Sequence, residues 1–395
     1  MEEGVTRKVS TRIFLLITDA GGGHRATATS LVEWARRAPK PWDLRIVNLY
    51  REMLQGEEPI KRALGFYGED AYNVILKRQI RLSVPLLQHA AAMAARLPHK
   101  RAHKAVADFL NREKPDLSVS LMPFVNDDCA VIHAEAGVPF GIVCTDLMDI
   151  QPRMWFTRRA MAGSTFVCVG SPEAASQARE AGAGDRVRET GLIVHPRFFD
   201  EETQRLSSAE ARRRLDLDPA TFTVAILMGG YGGPSIRNIV QQLEALDGTC
   251  QILACCGHND RLCRELQALA ATSRNRVVSL GFTTEIPTIM RASDVLITKP
   301  GTTTVMEALS LGVPLVLDDV NTMPQERPNA AWAEAQGVAI RLRRRSGVPD
   351  VVRRFQSDPG LGAAMRRMQQ EHAVLPAGPR VLDAMEACLV RSNDD

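Results

Sequence analysis

One pattern constrains this chain more than any other, and it occurs twice. A short apolar run passes straight into a glycine-bearing turn and then into a helical periodicity. Ile13-Phe14-Leu15-Leu16-Ile17 leads into Thr18-Asp19-Ala20-Gly21-Gly22-Gly23-His24-Arg25, and Val295-Leu296-Ile297-Thr298 leads into Lys299-Pro300-Gly301-Thr302-Thr303-Thr304, with Glu307 following. Continuous apolar runs of this length fit strands covered on both faces, and strand–turn–helix is the repeating unit of a parallel sheet. Two such sites in two halves of one chain predict a cleft that holds two substrates.

The same unit recurs between and beyond the two turns. Strands are predicted at 12–19, 44–49, 116–121, 139–145 and 165–169, with helices at 24–38, 125–136 and 172–181. His195-Pro196-Arg197 opens a transition, and Ser207 with Glu210 three residues on has the form of a helix start. A second alternation follows, with strands at 222–228, 250–256, 277–280, 294–298 and 314–318. Its helices are predicted at 234–246, 259–271, 285–292, 303–311 and 326–335, and an amphipathic helix at 378–391 closes the chain. The expected fold class is α/β: two Rossmann-like doubly wound domains facing across a cleft, with ligands beyond the carboxyl ends of the strands. The expected domains are 1–196, with a helical basic insertion at about 51–112, then 197–377, and a C-terminal helix at 378–395 returning to the first. A length of 395 residues agrees with two cores.

Composition removes several classes of function. The net charge of +3 gives no ground for expecting a nucleic-acid partner. The eight cysteines (Cys129, Cys144, Cys168, Cys250, Cys255, Cys256, Cys263 and Cys388) form no C-x-x-C pair, and most lie in apolar runs. They read as buried free thiols rather than zinc ligands or a disulfide framework. The run at 13–17 is too short for a secretory signal, and no stretch approaches the ~20 apolar residues of a spanning helix. The expectation is a cytoplasmic protein that touches a membrane from its inner face.

The second turn has the chemistry of a diphosphate site. Gly301 permits close backbone approach, and Thr302, Thr303 and Thr304 offer hydroxyl and N–H groups at a helix start, where free N–H groups and the dipole favour an anion. Glu307 lies one turn inside, placed to accept from ribose hydroxyls. No Walker lysine–serine pair is present. Further strand ends carry Gly229-Gly230, Gly257-His258 and Gly281-Phe282-Thr283-Thr284, and beyond the strand at 314–318 come Gln325, Glu326 and Asn329, polar groups suited to sugar hydroxyls. An ordinary threonine-capped connection remains the plain alternative for the turn alone.

Residues 281–337, from Gly-Phe-Thr-Thr through Ala-Ser-Asp-Val-Leu-Ile-Thr-Lys-Pro-Gly-Thr-Thr-Thr to Gln-Glu-Arg-Pro-Asn and Gly337, resemble the donor half of monogalactosyldiacylglycerol (MGDG) synthases. They are similar, more distantly, to the lipid-linked N-acetylglucosaminyltransferase of peptidoglycan synthesis. The turn Asp19–Arg25 resembles that family's acceptor loop, and Thr145-Asp146-Leu147, Trp155-Phe156 and Gly191–Pro196 extend the likeness. The resemblance implies a GT-B fold, a UDP-hexose donor, a lipid acceptor and inversion at the anomeric carbon. By the same resemblance Phe282 and Thr283 would flank the uracil, Thr302–Thr304 would meet the diphosphate, Glu307 the ribose, and Gln325, Glu326 and Asn329 the sugar. Gly229, Gly230, Gly257 and His258 join the donor set, and Gly22, Gly23 and Trp155 the acceptor set. The chain departs from the family at Pro300–Thr304, where Ala-Gly-Pro-Gly-Thr is common, at His258, where a basic residue is usual, and at Tyr231, where a third glycine is common. These departures leave the donor sugar open.

His24 begins a helix after three glycines, and an inverting transfer needs a base for the acceptor hydroxyl. The helix N-terminus is expected to lower its pKa and keep it neutral. The alternative is a cap or a phosphate donor. Asp146 is a second candidate, as base, as partner of His24 or as a plain helix cap. Backbone N–H groups and dipoles can carry the leaving diphosphate, so no cofactor and no metal is expected, and no D-x-D motif stands at a strand end. Between Ala71 and Ala107 there is no Asp or Glu, while Lys77, Arg78, Arg81, Arg96, Lys100, Arg101 and Lys104 interleave with apolar residues. Residues 74–104 therefore fit an anionic membrane surface, or else a basic solvated face on a core helix. Together these features predict a hexosyltransferase acting from a UDP-sugar on a lipid, with diacylglycerol as the expected acceptor. The rivals are a UDP-sugar epimerase or hydrolase of the same architecture and a catalytically silent UDP-sugar-binding protein.

Overall fold

The computed structural model describes residues 10–20, 22–57, 61–62, 65–70, 73, 100–150, 153–246, 249–320 and 322–394. Gly21 and most of the basic stretch 74–104 lie outside the described residues. The chain divides into two compact units. Among the described residues, the first contains everything up to Ile193 together with the C-terminal helix Ala377–Asp394, and the second contains Val194–Pro376.

The first unit is built on a six-stranded parallel sheet of β1 (Thr11–Ile17), β2 (Trp42–Asn48), β3 (Leu117–Ser120), β4 (Phe140–Val143), β5 (Phe166–Val169) and β6 (Val187–Glu189), in the order β2-β1-β3-β4-β5-β6. β1 explains why the run at 13–17 has no polar residue. Phe14 and Leu16 enter the core on one face and Ile13, Leu15 and Ile17 the core on the other. Each such side chain contributes about 1.5–3 kcal/mol by leaving water. The second of these cores is closed by Val381, Leu382 and Met385 of the C-terminal helix. That helix approaches the helix Gly23–Arg37 so closely that a Cβ on Gly378 would lie 2.1 Å from the Trp34 ring.

The second unit repeats the plan with β7 (Thr223–Leu227), β8 (Gln251–Gly257), β9 (Arg276–Gly281), β10 (Val295–Thr298), β11 (Leu315–Asp318) and β12 (Ala339–Leu342), all parallel, in the order β12-β11-β10-β7-β8-β9. Ser207 accepts from the Glu210 N–H, as a capping residue should. Arg212 is buried and spends its guanidinium on the Ala292 and Pro219 carbonyls and on Asp294, fastening the Ser208–Arg214 helix to the base of β10.

In each sheet the strand order reverses once, between β1 and β3 and between β7 and β10. Connections leave to opposite sides there, which opens a crevice beyond the carboxyl ends of those strands. Both glycine turns sit at such a reversal. All eight cysteines are free thiols; seven are buried and Cys263 is half-buried. Among the described residues no helix is long and apolar enough to cross a membrane.

Candidate functional site

At the reversal of the second sheet, the Thr298 hydroxyl donates to the Leu227 carbonyl at 2.6 Å, so the ends of β10 and β7 are tied side by side. The turn after β7 is then locked to the end of β8. Gly232 and Gly257 both have positive φ, and a Cβ on Gly232 would lie 2.1 Å from the Cys256 carbonyl oxygen, one on Gly257 2.1 Å from that of Gly230. His258 N–H donates to the same Gly230 carbonyl at 2.9 Å. Only glycine fits two backbones that close. Gly229 and Gly230 bring no side chain of their own to this strand end.

After β10, Thr302 starts the helix Thr302–Ser310 behind Gly301, and no side chain caps that end. Thr302, Thr303 and Thr304 are half-buried in its first turn. Asn329, expected to read a sugar, is buried, and its amide nitrogen donates to the Pro300 carbonyl at 3.0 Å and to Thr302 Oγ1 at 3.1 Å. Its donors staple the turn, which leaves a sugar only its carbonyl oxygen. Glu326 pairs with Lys299 at 2.5 Å. Gln325 and Glu326 are carried on the loop after β11, which is held by Asp318 to Arg345 at 2.7 Å and Asp319 to Arg341 at 2.6 Å.

Glu307 carries the largest carboxylate perturbation of the unit. Burial pushes its pKa from 4.5 up to about 8, and the positive charge of Arg197 works against that rise. Arg197 also donates to the Thr284 carbonyl at 2.8 Å and to the His195 ring, so it joins the loop after β9 to the surroundings of Glu307. Phe282 is 63% exposed and stacks on His258, with ring centroids 4.2 Å apart and planes at 14°. An exposed ring held flat by a second ring is a platform for a planar base. His258, expected in the donor set, is thus engaged as a stacking partner, with the Tyr231 ring 6.2 Å away. Thr283 caps its own turn by accepting from Glu285 N–H.

The first unit's turn is organised by a residue the sequence did not single out. Glu69 is buried, and its carboxylate accepts from the Thr18 hydroxyl and the Asp19 N–H, both at 2.9 Å, from Asn48 and from Arg51 at 2.5 Å. Asp19 is in turn held by Arg25 and Asn48, which keeps its carboxyl below the usual range. Gly22 takes the left-handed conformation before the helix Gly23–Arg37, and half-buried His24 lies in its first turn. Gly23 is exposed there, and a Cβ at Gly22 or Gly23 would meet nothing within 4 Å. Burial lowers the His24 pKa from 6.5 to about 4, against a hydrogen bond with the Leu121 carbonyl. The imidazole is neutral, but the cause is desolvation rather than the helix end. Thr145 Oγ1 is 3.5 Å from His24 Nδ1.

Trp155 corrects an expectation. It is fully buried, its ring centroid 6.4 Å from that of His24, and its indole N–H donates to Asp146 Oδ2 at 2.7 Å. It offers no surface to an acceptor, and instead walls His24 and orients Asp146. Among the described residues no group of three or more His, Cys, Asp or Glu is arranged to hold a metal ion.

Residues 223–349 match the glycosyltransferase family 28 C-terminal domain. The matched span lies wholly within the second unit. The glycine turns of the second unit, Phe282 and the Thr302 helix start all fall inside the matched span. Across 84% of the chain, it is 26% identical to the monogalactosyldiacylglycerol synthase of Spinacia oleracea, and spans 63% of that protein's length. It is 30% identical to the processive diacylglycerol β-glucosyltransferase of Bacillus pumilus over 47% of this chain and 48% of that one. The crystal structure of Acinetobacter baumannii MurG superposes with a TM-score of 0.60 at 14% identity, covering 95% of this chain and 99% of the other. The fold is that of the GT-B glycosyltransferases.

Proposed function

We propose that the protein transfers a hexose from a UDP-sugar to the free hydroxyl of diacylglycerol, with inversion. The observation that carries this reading is the joint presence of a family 28 domain and a similarity to diacylglycerol glycosyltransferases that extends through both units. In this reading uracil lies on Phe282, ribose meets Glu307, and the diphosphate lies against Gly229, Gly230 and the Thr302–Thr304 helix start. Gln325 and Glu326 read the sugar.

The base is His24. A neutral imidazole with a pKa near 4 is fully available at neutral pH. It takes the proton of the acceptor hydroxyl as that oxygen bonds to the anomeric carbon. The carbon–oxygen bond to the β-phosphate breaks on the opposite side, and its electron pair leaves with UDP. Asp146, held by Trp155, supplies negative charge near the developing imidazolium. The lipid would be reached from a membrane surface, with the basic stretch 74–104 as the contact; Lys100, Arg101 and Lys104 are its described members.

The test is incubation of the protein with UDP-galactose or UDP-glucose and diacylglycerol vesicles. Formation of a monohexosyl lipid with release of UDP is expected. Conversion or hydrolysis of the nucleotide sugar without any lipid product would replace this reading with an epimerase or hydrolase.

A further inference from the structure

Lys299 follows β10 directly and lies back across both glycine turns of the second unit. Its Cε is 3.4 Å from where a Cβ would stand on Gly229 and 3.4 Å from the same point on Gly301, with Nζ 3.6 Å from the latter. The side chain therefore fills space that glycines leave at two adjacent strand ends. There Nζ meets Glu326 Oε1, which itself lies 3.4 Å from the Gly301 Cβ position. Lys299 keeps 42% of its side-chain exposure and Glu326 15%. A lone ion pair with one partner that exposed adds little to stability, and no packing need explains an ammonium at this place.

Its surroundings suit an anion. The helix start at Thr302 is uncapped, and backbone N–H groups line a helix end whose dipole is positive. His258, at the position where the resembling family carries a basic residue, is turned into a stack with Phe282. Among the described residues, the cation that reaches Gly229 and Gly301 is Lys299.

We propose that Lys299 is the charged contact of the donor's diphosphate, and that Glu326 is its alternative partner. This rests on the donor reading above. When a diphosphate lies against the turns, the ammonium exchanges Glu326 for phosphate oxygens, and the carboxylate is released toward the sugar hydroxyls. During transfer, the electron pair of the breaking bond adds negative charge to UDP, and Lys299 stabilises it while keeping its own protons. Occupation of the site by a donor thereby converts Glu326 from a salt-bridge partner into a sugar acceptor.

Calorimetric titration of the full chain with UDP and with uridine tests this. Wild type should bind UDP more tightly than uridine. Lys299→Ala should lose about tenfold or more of that preference while keeping its uridine affinity, and Lys299→Arg should retain most of it. Glu326→Gln, which frees the ammonium, should bind UDP more tightly than wild type. A UDP-to-uridine ratio unchanged in Lys299→Ala overturns the inference, and weaker UDP binding by Glu326→Gln overturns the exchange. A wild-type chain that binds neither nucleotide overturns the donor reading itself.

Discussion

His24 and Glu307 are both perturbed by burial, in opposite senses, and each leaves a pH signature. The folded pKa of His24 is near 4 against 6.5 unfolded, so the unfolded chain binds the extra proton between those values. Its neutral form supports the fold above about 6.5, and that support is lost as pH falls toward 4. Activity should follow the folded value: the acid limb of kcat/KM for the acceptor is expected near pH 4, not near 6.5, and His24→Ala should lower kcat by about 10²–10⁴-fold. A limb at 6.5 in the wild-type profile would show that the base is exposed. Glu307 runs the other way. With a folded pKa of about 8 against 4.5, its contribution is complete below 4.5 and is lost as pH rises through 8. Glu307→Gln should flatten the decline in Tm over that window, read by thermal unfolding at pH 5 and pH 8.

At the scale of elements, the turn that carries His24 depends on a carboxylate from outside its own strand and helix. Thr18, Asp19, Asn48 and Arg51 all converge on Glu69. Glu69→Ala would leave those donors without their acceptor at a cost of about 1–3 kcal/mol, moderated by the partial exposure of Arg51. Activity should fall while uridine binding, which the donor reading assigns to the other unit, is unchanged; calorimetry alongside the transfer assay separates the two. No spacing in the sequence marks Glu69, because its partners come from the turn after β1, the end of β2 and the turn after β2. Asn329 and Trp155 meet the same limit of the sequence. A polar or aromatic residue near a site looks the same in sequence whether it faces ligand or braces the backbone, and only burial separates the two. The central strands β1, β8 and β10 were legible because each carries an unbroken apolar run, at 13–17, 252–256 and 295–297. β6 and β12 were missed: three and four residues at a sheet edge, carrying Arg188, Glu189 and Arg341, show no such run.

At the scale of the whole molecule, the two sheets share one plan, and in both the reversal of strand order sets the place of the glycine turn. That plan was readable from the alternation of runs and turns. The C-terminal helix is a structural part of the first unit, since Val381, Leu382 and Met385 complete the core under Ile13, Leu15 and Ile17. Removing residues 377–395 should expose that core. The truncated chain is expected to lose transfer activity and to unfold at lower temperature, yet still bind UDP through the second unit. Full loss of UDP binding would mean that the second unit does not stand without the helix.

The eight thiols have a chemical consequence. Burial pushes the thiols of Cys168, Cys250, Cys255 and Cys256 up to about 12, and those of Cys129 and Cys144 up as well. A thiol attacks an electrophile as its anion, so burial disfavours reaction of these six at neutral pH. Cys263 differs in being half-buried, on the helix Asp260–Ala270 that follows Gly257 and His258. Cys263 therefore offers an attachment point for a fluorophore or spin label on the helix that follows the Gly257-His258 turn.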